Sequence, residues 1–289
     1  SIPMMTAYLD AHPDVGILAP RLVYGDGSHQ LSVNPFPSFW STLTQFFRLP
    51  RLLPESRLFA PHRFALTPRD YPRAVEVDWV SGACLMARRQ MLEEIGLLDE
   101  TFFMYYEETD LCRRAWEAGW KVVYDPTTSV VHHGRKSAAK ELPACLEHAQ
   151  RSLVHFVSRH GSAAHRILSR TTVLLNCAAW SSLAWLRSWR RSDPSEARRL
   201  ASCRAAASAA LRRDPGPRIP TIRPRPASLP TASVVLPTYR RGWEDIFPTL
   251  EALAAQDPPP QEVVIVDQTP RPDPRIEAWA RSHARARYA

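Results

Sequence analysis

Three acidic residues at the start of one predicted helix are the strongest candidates for chemistry in this sequence. They are Glu107, Glu108 and Asp110. They follow the aromatic run 102–106 and open a helical segment that ends at Gly119. A carboxylate fixed at a helix start can act as the general base that removes the proton from an attacking hydroxyl. The alternative is that these acids only cap the helix and favour its dipole, at about 0.3 to 1 kcal/mol each.

A histidine just past a predicted strand is the candidate metal ligand. The segment 121–124 reads as a strand, Asp125 and Pro126 as a turn, and a further short strand leads to His132. Neutral imidazole is a common ligand of divalent cations. A lone histidine is usually structural, so the residue type by itself leaves both roles open.

Three blocks around these residues resemble the acceptor-side half of family 2 glycosyltransferases of the rhamnosyltransferase-like kind. The blocks begin at Trp79 (WVSGACLMARR), Gly96 (GLLDETFFMYYEETDLCRR) and Val130 (VVHHGRKS), in the order and spacing of that family. The resemblance implies that Glu108 is the catalytic base and that His132 is a metal ligand. The residues that it places on the acceptor side are Trp79, Gly82, Ala83, Glu107 and Asp110.

A second stretch resembles the nucleotide-binding half of the same family. Two apolar segments, beginning at Ser233 and Glu262, flank a helical stretch from Trp243 to Gln256. In an open α/β sheet, polar residues at the carboxyl ends of such strands face the ligand. By resemblance, Asp267 hydrogen-bonds the nucleotide base. The residues that would shape the pocket around base and ribose are Pro237, Thr238 and Tyr239. A βαβ unit without a binding function is the alternative.

The order of the two matches is unusual for one enzyme. The family runs from the nucleotide half through a metal-binding Asp-x-Asp to the acceptor half, whereas here the acceptor half comes first and the sequence contains no Asp-x-Asp. We interpret the chain as the back of one such domain followed by the front of a second. A permuted or degenerate single domain is the alternative, and we expect the strands at Val234 and Val264 to dock beside the strand at Gly16 in imitation of it.

The predicted fold is α/β: an incomplete GT-A (Rossmann-like) nucleotide-diphospho-sugar transferase fold with a helical segment and a proline-rich linker. The predicted divisions are an acceptor-side half at 1–141, a helical segment at 142–213, a proline-rich linker at 214–231 and the nucleotide-binding front of a second domain at 232–289.

The activity implied by the resemblance is inverting transfer of a sugar from a nucleotide-diphosphate donor to a hydroxyl of a glycan or lipid-linked acceptor, in cell-surface polysaccharide or glycolipid synthesis. Mg²⁺ or Mn²⁺ would hold the diphosphate, with His132 as one ligand. Because the aspartates that normally share the ion are absent, we expect little or no transfer by this chain alone. The competing class is a non-catalytic binding or scaffold module that keeps the fold and has lost the metal site.

Charge and cysteine usage restrict partners and compartment. The formal net charge of +8 favours anionic partners such as nucleotide sugars and phospholipid surfaces. No nucleic-acid-binding motif accompanies this charge, so nucleic acid is not an expected partner. The five cysteines form no close pairs, which argues against zinc and a disulfide framework and favours a cytoplasmic protein.

The mostly apolar stretch 167–189 is the candidate membrane contact. It contains Trp180, Trp185 and Trp189, and its uninterrupted part is shorter than the roughly 20 residues that a bilayer span needs. Aromatic residues followed by arginines favour a helix that lies on an anionic surface, at the inner face of the plasma membrane. A helix packed on the rest of the protein is the alternative.

Overall fold

The described residues form helices and strands in a structure of mixed α/β class. The computed structural model describes residues 2–46, 49, 56, 58, 73–132, 142–188, 194–212, 214–221, 233–238, 243–255, 262–267, 273–284 and 286–288. The chain divides into two units, one formed by residues 12–222 and one by residues 2–11 with 223–289.

The described elements are numbered along the chain. The helices are α1 (Ile2–Ala11), α2 (Phe39–Phe46), α3 (Arg89–Ile95), α4 (Glu107–Glu117), α5 (Leu142–His160), α6 (Ala163–Ser188), α7 (Pro194–Leu211), α8 (Trp243–Ala254) and α9 (Pro274–Ser282). The strands are β1 (Val15–Val23), β2 (His29–Gln30), β3 (Val33–Asn34), β4 (Val75–Glu76), β5 (Trp79–Val80), β6 (Met86–Ala87), β7 (Lys121–Val131), β8 (Ser233–Thr238), β9 (Glu262–Asp267) and β10 (Ala286–Tyr288).

A mixed five-stranded sheet forms the centre of the first unit. Its order is β2-β1-β7-β4, and β6 also pairs with β1. The two long strands, β1 and β7, are parallel, while the short strands run antiparallel to them. In β1 every residue except Arg21 is buried, as expected for an apolar strand covered on both faces.

Helix α4 packs on one face of this sheet. Leu111, Cys112 and Ala115 of the helix share a core with Ala19 of β1 and Tyr124 of β7. The helix ends at the predicted glycine, Gly119, whose φ of +85° is the left-handed conformation typical of a helix C-terminus.

The start of α4 lies at the carboxyl edge of the sheet. The backbone N–H of Lys121, just after the helix, donates to the carbonyl of Asp14, just before β1. The end of α4 is therefore at the amino edge of the parallel pair. Glu107 and Glu108 lie at the opposite edge, where open α/β sheets bind their ligands.

Three helices fill the stretch 142–213 that was predicted to be helical. Val154 of α5, Val173 of α6 and Ala206 of α7 belong to one shared core. Phe156 of α5 packs against Phe102, in the aromatic run before α4. Across the described residues, no helix combines the length and the apolar character that a membrane span requires.

The second unit contains a parallel sheet in the order β10-β9-β8, with α8 and α9 as the connecting helices. Ile246 and Leu250 of α8 and Ile276 and Trp279 of α9 form its core, against which Ile2 of α1 packs. The predicted strand, helix and strand of this region are confirmed.

The expectation that β8 and β9 dock beside β1 is wrong. In the part of the chain that the structure describes, β1 pairs with β2, β6 and β7, whereas β8 and β9 pair with each other and with β10. The edge of β9 is taken by the short third strand β10, so these strands complete a sheet of their own.

Candidate active site

Glu108 and a turn after β5 form the centre of the candidate site. Oε1 of Glu108 accepts a hydrogen bond of 3.3 Å from the backbone N–H of Gly82. A Cβ built at Gly82 would stand 3.4 Å from the Cβ of Glu108, so the two residues are in close contact. Gly82 and Ala83, beside this carboxylate, are exposed.

Backbone pairing holds this turn in place. Val80 of β5 pairs with Val33 of β3, and the N–H of Ser81 donates to the carbonyl of Ser32 at 2.7 Å. The indole N–H of Trp79 donates to the carbonyl of Pro35 at 3.0 Å. The indole is thus fixed at the rim while its ring stays partly exposed.

Two consecutive tyrosines in the left-handed region lead into α4. The φ angles of Tyr105 and Tyr106 are 65° and 71°, and Tyr106 is the residue before the helix. Such a conformation costs bulky residues on the order of 1–3 kcal/mol each and persists where surrounding packing imposes it. The ring of Tyr106 packs on Phe156 of α5, with 5.7 Å between ring centroids. This backbone bend sets the direction in which Glu107 and Glu108 leave the chain.

The two glutamates share a buried, electrostatically unfavourable environment. Burial and the neighbouring charge of Glu108 raise the pKa of Glu107 to about 8. Burial also raises the pKa of Glu108. Oε2 of each residue is buried without a hydrogen-bond partner. Two adjacent carboxyls of this kind do not both ionise readily, so the pair is suited to accept a proton near neutral pH.

Asp110 does not fit the acceptor-binding role expected from the resemblance. Its side chain is 0% exposed. Its Oδ2 accepts from Arg114 at 2.7 Å, and its Oδ1 lies 2.8 Å from His160 Nε2 and 3.1 Å from Arg159 Nη1. Burial alone raises the pKa of Asp110, but the bond from His160 and the charges of Arg114 and Arg159 outweigh it and the pKa is lowered. Asp110 anchors α4 rather than contacting an acceptor.

The same ion-pair network reaches the loop before α4. Arg114 also donates to the carbonyls of Ile95 and Leu97, at 2.7 Å in each case. Arg159 bridges from Asp110 to Asp99, 3.2 Å away. Helix α4, helix α5 and the loop between α3 and α4 are thus tied together by buried charges. Sequence reasoning missed Arg159 and Asp99.

The first residues of the predicted linker pack on this loop. The N–H of Leu97 donates to the carbonyl of Pro220 at 2.8 Å, and the N–H of Glu100 donates to that of Arg218 at 2.9 Å. Residues 214–221 therefore form part of the support of the site. The rest of the predicted linker lies outside the described residues.

His132 lies at the carboxyl edge of β7. Its N–H donates to the carbonyl of Val23, and its Nδ1 is 3.0 Å from Oε1 of Gln30. In the described part of the chain, no group of three or more His, Cys, Asp or Glu side chains is arranged to hold a metal ion. The described residues thus do not provide a complete Mg²⁺ or Mn²⁺ site.

Two of the predicted nucleotide-binding residues lie at the same edge of the second unit's sheet. Thr238 and Asp267, the last residues of β8 and β9, are register partners in the parallel pair. Pro237 precedes Thr238 in β8, while Tyr239 lies outside the described residues. The evidence for this placement is the backbone pairing of β8 with β9, in which Thr238 lies opposite Asp267.

Comparison with known proteins identifies glycosyltransferase homologues, although no family model matches the sequence. The chain is 32% identical over 203 residues to the N-acetylglucosaminyl-diphospho-decaprenol L-rhamnosyltransferase of two Mycobacterium tuberculosis strains, covering 64% of this chain and 60% of that protein. It is 36% identical over 99 residues to the low-salt glycan biosynthesis hexosyltransferase Agl10 of Haloferax volcanii, covering 34% and 27% respectively. It is 29% identical over 101 residues to rhamnosyltransferase WbbL of Escherichia coli, covering 35% and 34%.

These matches confirm homology to rhamnosyltransferases, as the sequence motifs predicted. The chain spans 60% of the length of the Mycobacterium tuberculosis relative. The interpretation as halves of two domains stays a prediction.

Asp110→Asn should destabilise the protein by roughly 3–5 kcal/mol, because it leaves three buried basic groups without their shared anion. The free energy of unfolding in urea measures this. The matched control is Glu93→Gln on α3: its carboxylate is partly exposed and paired with Arg89, so the loss should be about 0.2–1 kcal/mol. Equal losses in the two variants would contradict the anchoring role of Asp110.

Glu107 should make stability fall as the pH rises. Its pKa is raised from 4.5 to about 8 in the folded protein, so the folded state holds a proton that the unfolded state releases. The contribution is fully favourable below pH 4.5 and is lost as the pH rises through 8. Glu107→Gln should flatten this part of the curve of unfolding free energy against pH. An unchanged slope in the variant would show that Glu107 ionises normally.

Proposed function

We propose that this chain belongs to a glycosyltransferase of GT-A fold that transfers a sugar from a nucleotide-diphosphate donor to a hydroxyl of a lipid-linked glycan. The observation that carries the proposal is the carboxylate of Glu108, which is held by Gly82 at the carboxyl edge of the sheet and has a second, unpartnered oxygen. The homology to rhamnosyltransferases, one of which is named for a diphospho-decaprenol substrate, supports the substrate class.

In this proposal Glu108 is the general base. Its carboxylate takes the proton of the acceptor hydroxyl while the hydroxyl oxygen forms a bond to the anomeric carbon of the donor sugar. The bond from that carbon to the diphosphate breaks, and the nucleoside diphosphate leaves with the electron pair. A single displacement of this kind inverts the anomeric configuration. Burial raises the pKa of Glu108, which makes its carboxylate a stronger base.

The remaining acceptor-side residues orient the substrate. The Gly82 N–H fixes the carboxylate through Oε1. Burial and the charge of Glu108 raise the pKa of Glu107 to about 8, which favours the protonated form of Glu107 at neutral pH. The partly exposed ring of Trp79 offers an apolar surface at the rim.

By the resemblance, the second unit would bind a nucleotide of its own. At the carboxyl edge of its parallel sheet, Asp267 would accept hydrogen bonds from the nucleotide base. Thr238, with Pro237 and Tyr239, would shape the pocket for base and ribose. The register of Thr238 beside Asp267 supports this assignment.

A divalent cation on the diphosphate would supply charge neutralisation when bound. His132 is the candidate ligand in the described residues, and its Nδ1 contact with Gln30 resembles the outer partners that orient metal-binding imidazoles. The chemistry assigned above to Glu108 is independent of this ion.

A non-catalytic binding module is the second candidate function. It is favoured by the lack of an Asp-x-Asp in the sequence and of a three-ligand cluster in the part of the chain that is described. The two functions differ in turnover with a nucleotide sugar and a lipid-linked acceptor.

Glu108→Gln should lower turnover by roughly 10² to 10⁴, because the amide keeps the shape and cannot accept the proton. The chain is assayed by itself and within a longer protein that carries it, with donor affinity measured in parallel. Donor affinity should stay within about twofold, since the substitution acts on the acceptor side. Glu117→Gln is the control. A near-normal rate for Glu108→Gln would show that Glu108 only caps the helix. A wild-type protein that is inactive both by itself and within the longer protein would favour the binding module.

Because the proposed acceptor is linked to a lipid, we also propose that one side of α6 faces a membrane. This helix buries polar side chains, His165, Ser169 and Thr172, while Ile167 is 68% and Leu175 49% exposed. Residues 163–188 contain arginine and no acidic residue. An exposed apolar face with positive charge suits an anionic phospholipid surface.

Helix α2 adds aromatic residues beside the start of α6. Thr42 Oγ1 lies 2.9 Å from His165 Nε2, which joins the two helices. Phe39 and Trp40 of α2 are 43% and 41% exposed. Of the predicted interfacial tryptophans, the side chains of Trp180 and Trp185 and the whole of Trp189 lie outside the described residues.

Ile167→Glu should weaken binding to vesicles that contain anionic phospholipid by roughly tenfold or more, because one buried aliphatic side chain contributes about 1.5–3 kcal/mol. Co-sedimentation with anionic and with neutral vesicles measures the effect. Met4→Glu, at an exposed apolar position of the other unit, is the control and should bind as the wild type does. Absence of vesicle binding by the wild type, or identical binding by the two variants, would contradict this surface.

A further inference from the structure

Arg21 is a charged residue without a counter-charge in an otherwise buried strand. Within the described residues its guanidinium makes no hydrogen bond or ion pair, and its Nε is buried without a partner. Charged groups that lose water are normally paired, because desolvation is costly. The side chain stays partly exposed, so a ligand from solvent can reach it.

Two further polar groups without partners flank Arg21. Both ring nitrogens of His29 and the hydroxyl of Tyr124 are buried without a hydrogen bond. In the sheet register, His29 pairs with Val23 and Tyr124 pairs with Ala19. Because alternate residues of a strand share a face, these positions place His29 and Tyr124 on the face of the sheet that carries Arg21.

The electrostatics of the three groups agree with this placement. Burial lowers the pKa of His29, and the charge of Arg21 lowers it further. Burial raises the pKa of Tyr124, and Arg21 opposes that shift. Arg21 is thus close enough to both side chains to affect their protonation.

The nearby acidic residue is already engaged. Asp125 follows Tyr124, and its Oδ1 accepts from the N–H of Thr127 at 3.0 Å. Both of its oxygens lie 2.8 Å from the hydroxyl of Thr127. Asp125 therefore does not neutralise Arg21 through an ion pair, and the cluster keeps its positive charge.

The chemistry of the cluster matches a phosphate group. A guanidinium offers several donors in a fork that fits phosphate oxygens. A neutral imidazole and a tyrosine hydroxyl each provide one further donor. An oxyanion with several acceptor oxygens would satisfy all three groups, each of which otherwise costs on the order of 1–3 kcal/mol.

The cluster also lies where a diphosphate is needed. Arg21 is near the carboxyl end of β1, and Tyr124 shares its core with α4, the helix that begins with the two glutamates. We infer that Arg21, His29 and Tyr124 form a binding subsite for a diphosphate group. The source of that group, the donor nucleotide or the lipid-linked acceptor, is the part that rests on the proposed function.

Inorganic pyrophosphate is the direct probe of the subsite. Isothermal titration without added metal should show binding to the wild-type chain, and Arg21→Met should weaken it by about 10- to 100-fold, the range for a hydrogen bond to a charged group. Arg89→Met, which removes an arginine paired with Glu93, should bind pyrophosphate as the wild type does. Wild-type protein that fails to bind pyrophosphate, or equal affinity in Arg21→Met, would overturn the subsite.

A stability measurement separates binding from folding. Without ligand, Arg21→Met should unfold at the same or a higher temperature than the wild type, because it removes an unpaired charge. Pyrophosphate should raise the unfolding temperature of the wild type and leave that of the variant unchanged. A strongly destabilised variant would give Arg21 a structural role instead. His29→Gln is the second variant and should also lower pyrophosphate affinity.

The source of the diphosphate is resolved by two further ligands. If the donor supplies it, Arg21→Met should lose affinity for a nucleoside diphosphate and keep it for a short-chain prenyl diphosphate. The reverse pattern assigns the subsite to the acceptor. Turnover is scored separately, in the longer protein that carries the chain. Arg21-dependent pyrophosphate binding without turnover there keeps the subsite and removes the proposed function. Turnover with Arg21-independent binding does the opposite.

Discussion

The buried carboxylate of Asp110 is the interaction on which the candidate site depends. One side chain without solvent exposure collects Arg114 from its own helix and Arg159 and His160 from α5. Because an unpaired charge in this position is costly, the rotation of α4 about its axis and its position against α5 are fixed together. Glu107 and Glu108 precede this anchor by three and two residues, so their directions are fixed by it as well.

Strain and desolvation at the start of α4 follow from the same anchor. The left-handed Tyr105 and Tyr106 are conformations that free peptides avoid, and they persist because Tyr106 is packed on Phe156 of the anchored helix α5. The bend turns both glutamates into a buried environment, which raises the pKa of each. A carboxyl pair in water would ionise far below neutral pH and would be a weak base. Burial in the fold therefore makes Glu107 and Glu108 stronger bases. It costs stability, and the ion-pair network around Asp110 offsets that cost.

Local features of this structure could be predicted from the sequence, and long-range features could not. Helix α4 was predictable because acids open it and Gly119 closes it, and β8 and β9 because each is an apolar run. The role of Asp110 was misassigned because two of its partners lie 49 and 50 residues away, although Arg114 at i+4 was a visible signal. The expected docking beside β1 failed because an unpaired edge does not specify its partner, and β10 supplied one locally.

The placement of charge imposes a further constraint on any reaction here. The base needs a raised pKa, and a cation beside Glu108 would lower it and weaken the base. A leaving diphosphate needs the opposite environment, with positive charge and hydrogen-bond donors. Burial raises the pKa of both glutamates, and the charge of Glu108 adds to the shift of Glu107, whereas Arg21 acts on His29 and Tyr124. A base with a raised pKa and a positively charged diphosphate site can share one face of a sheet only if they lie apart along its edge. The start of α4 and the end of β1, contributed by different elements of the same parallel crossover, provide two such positions.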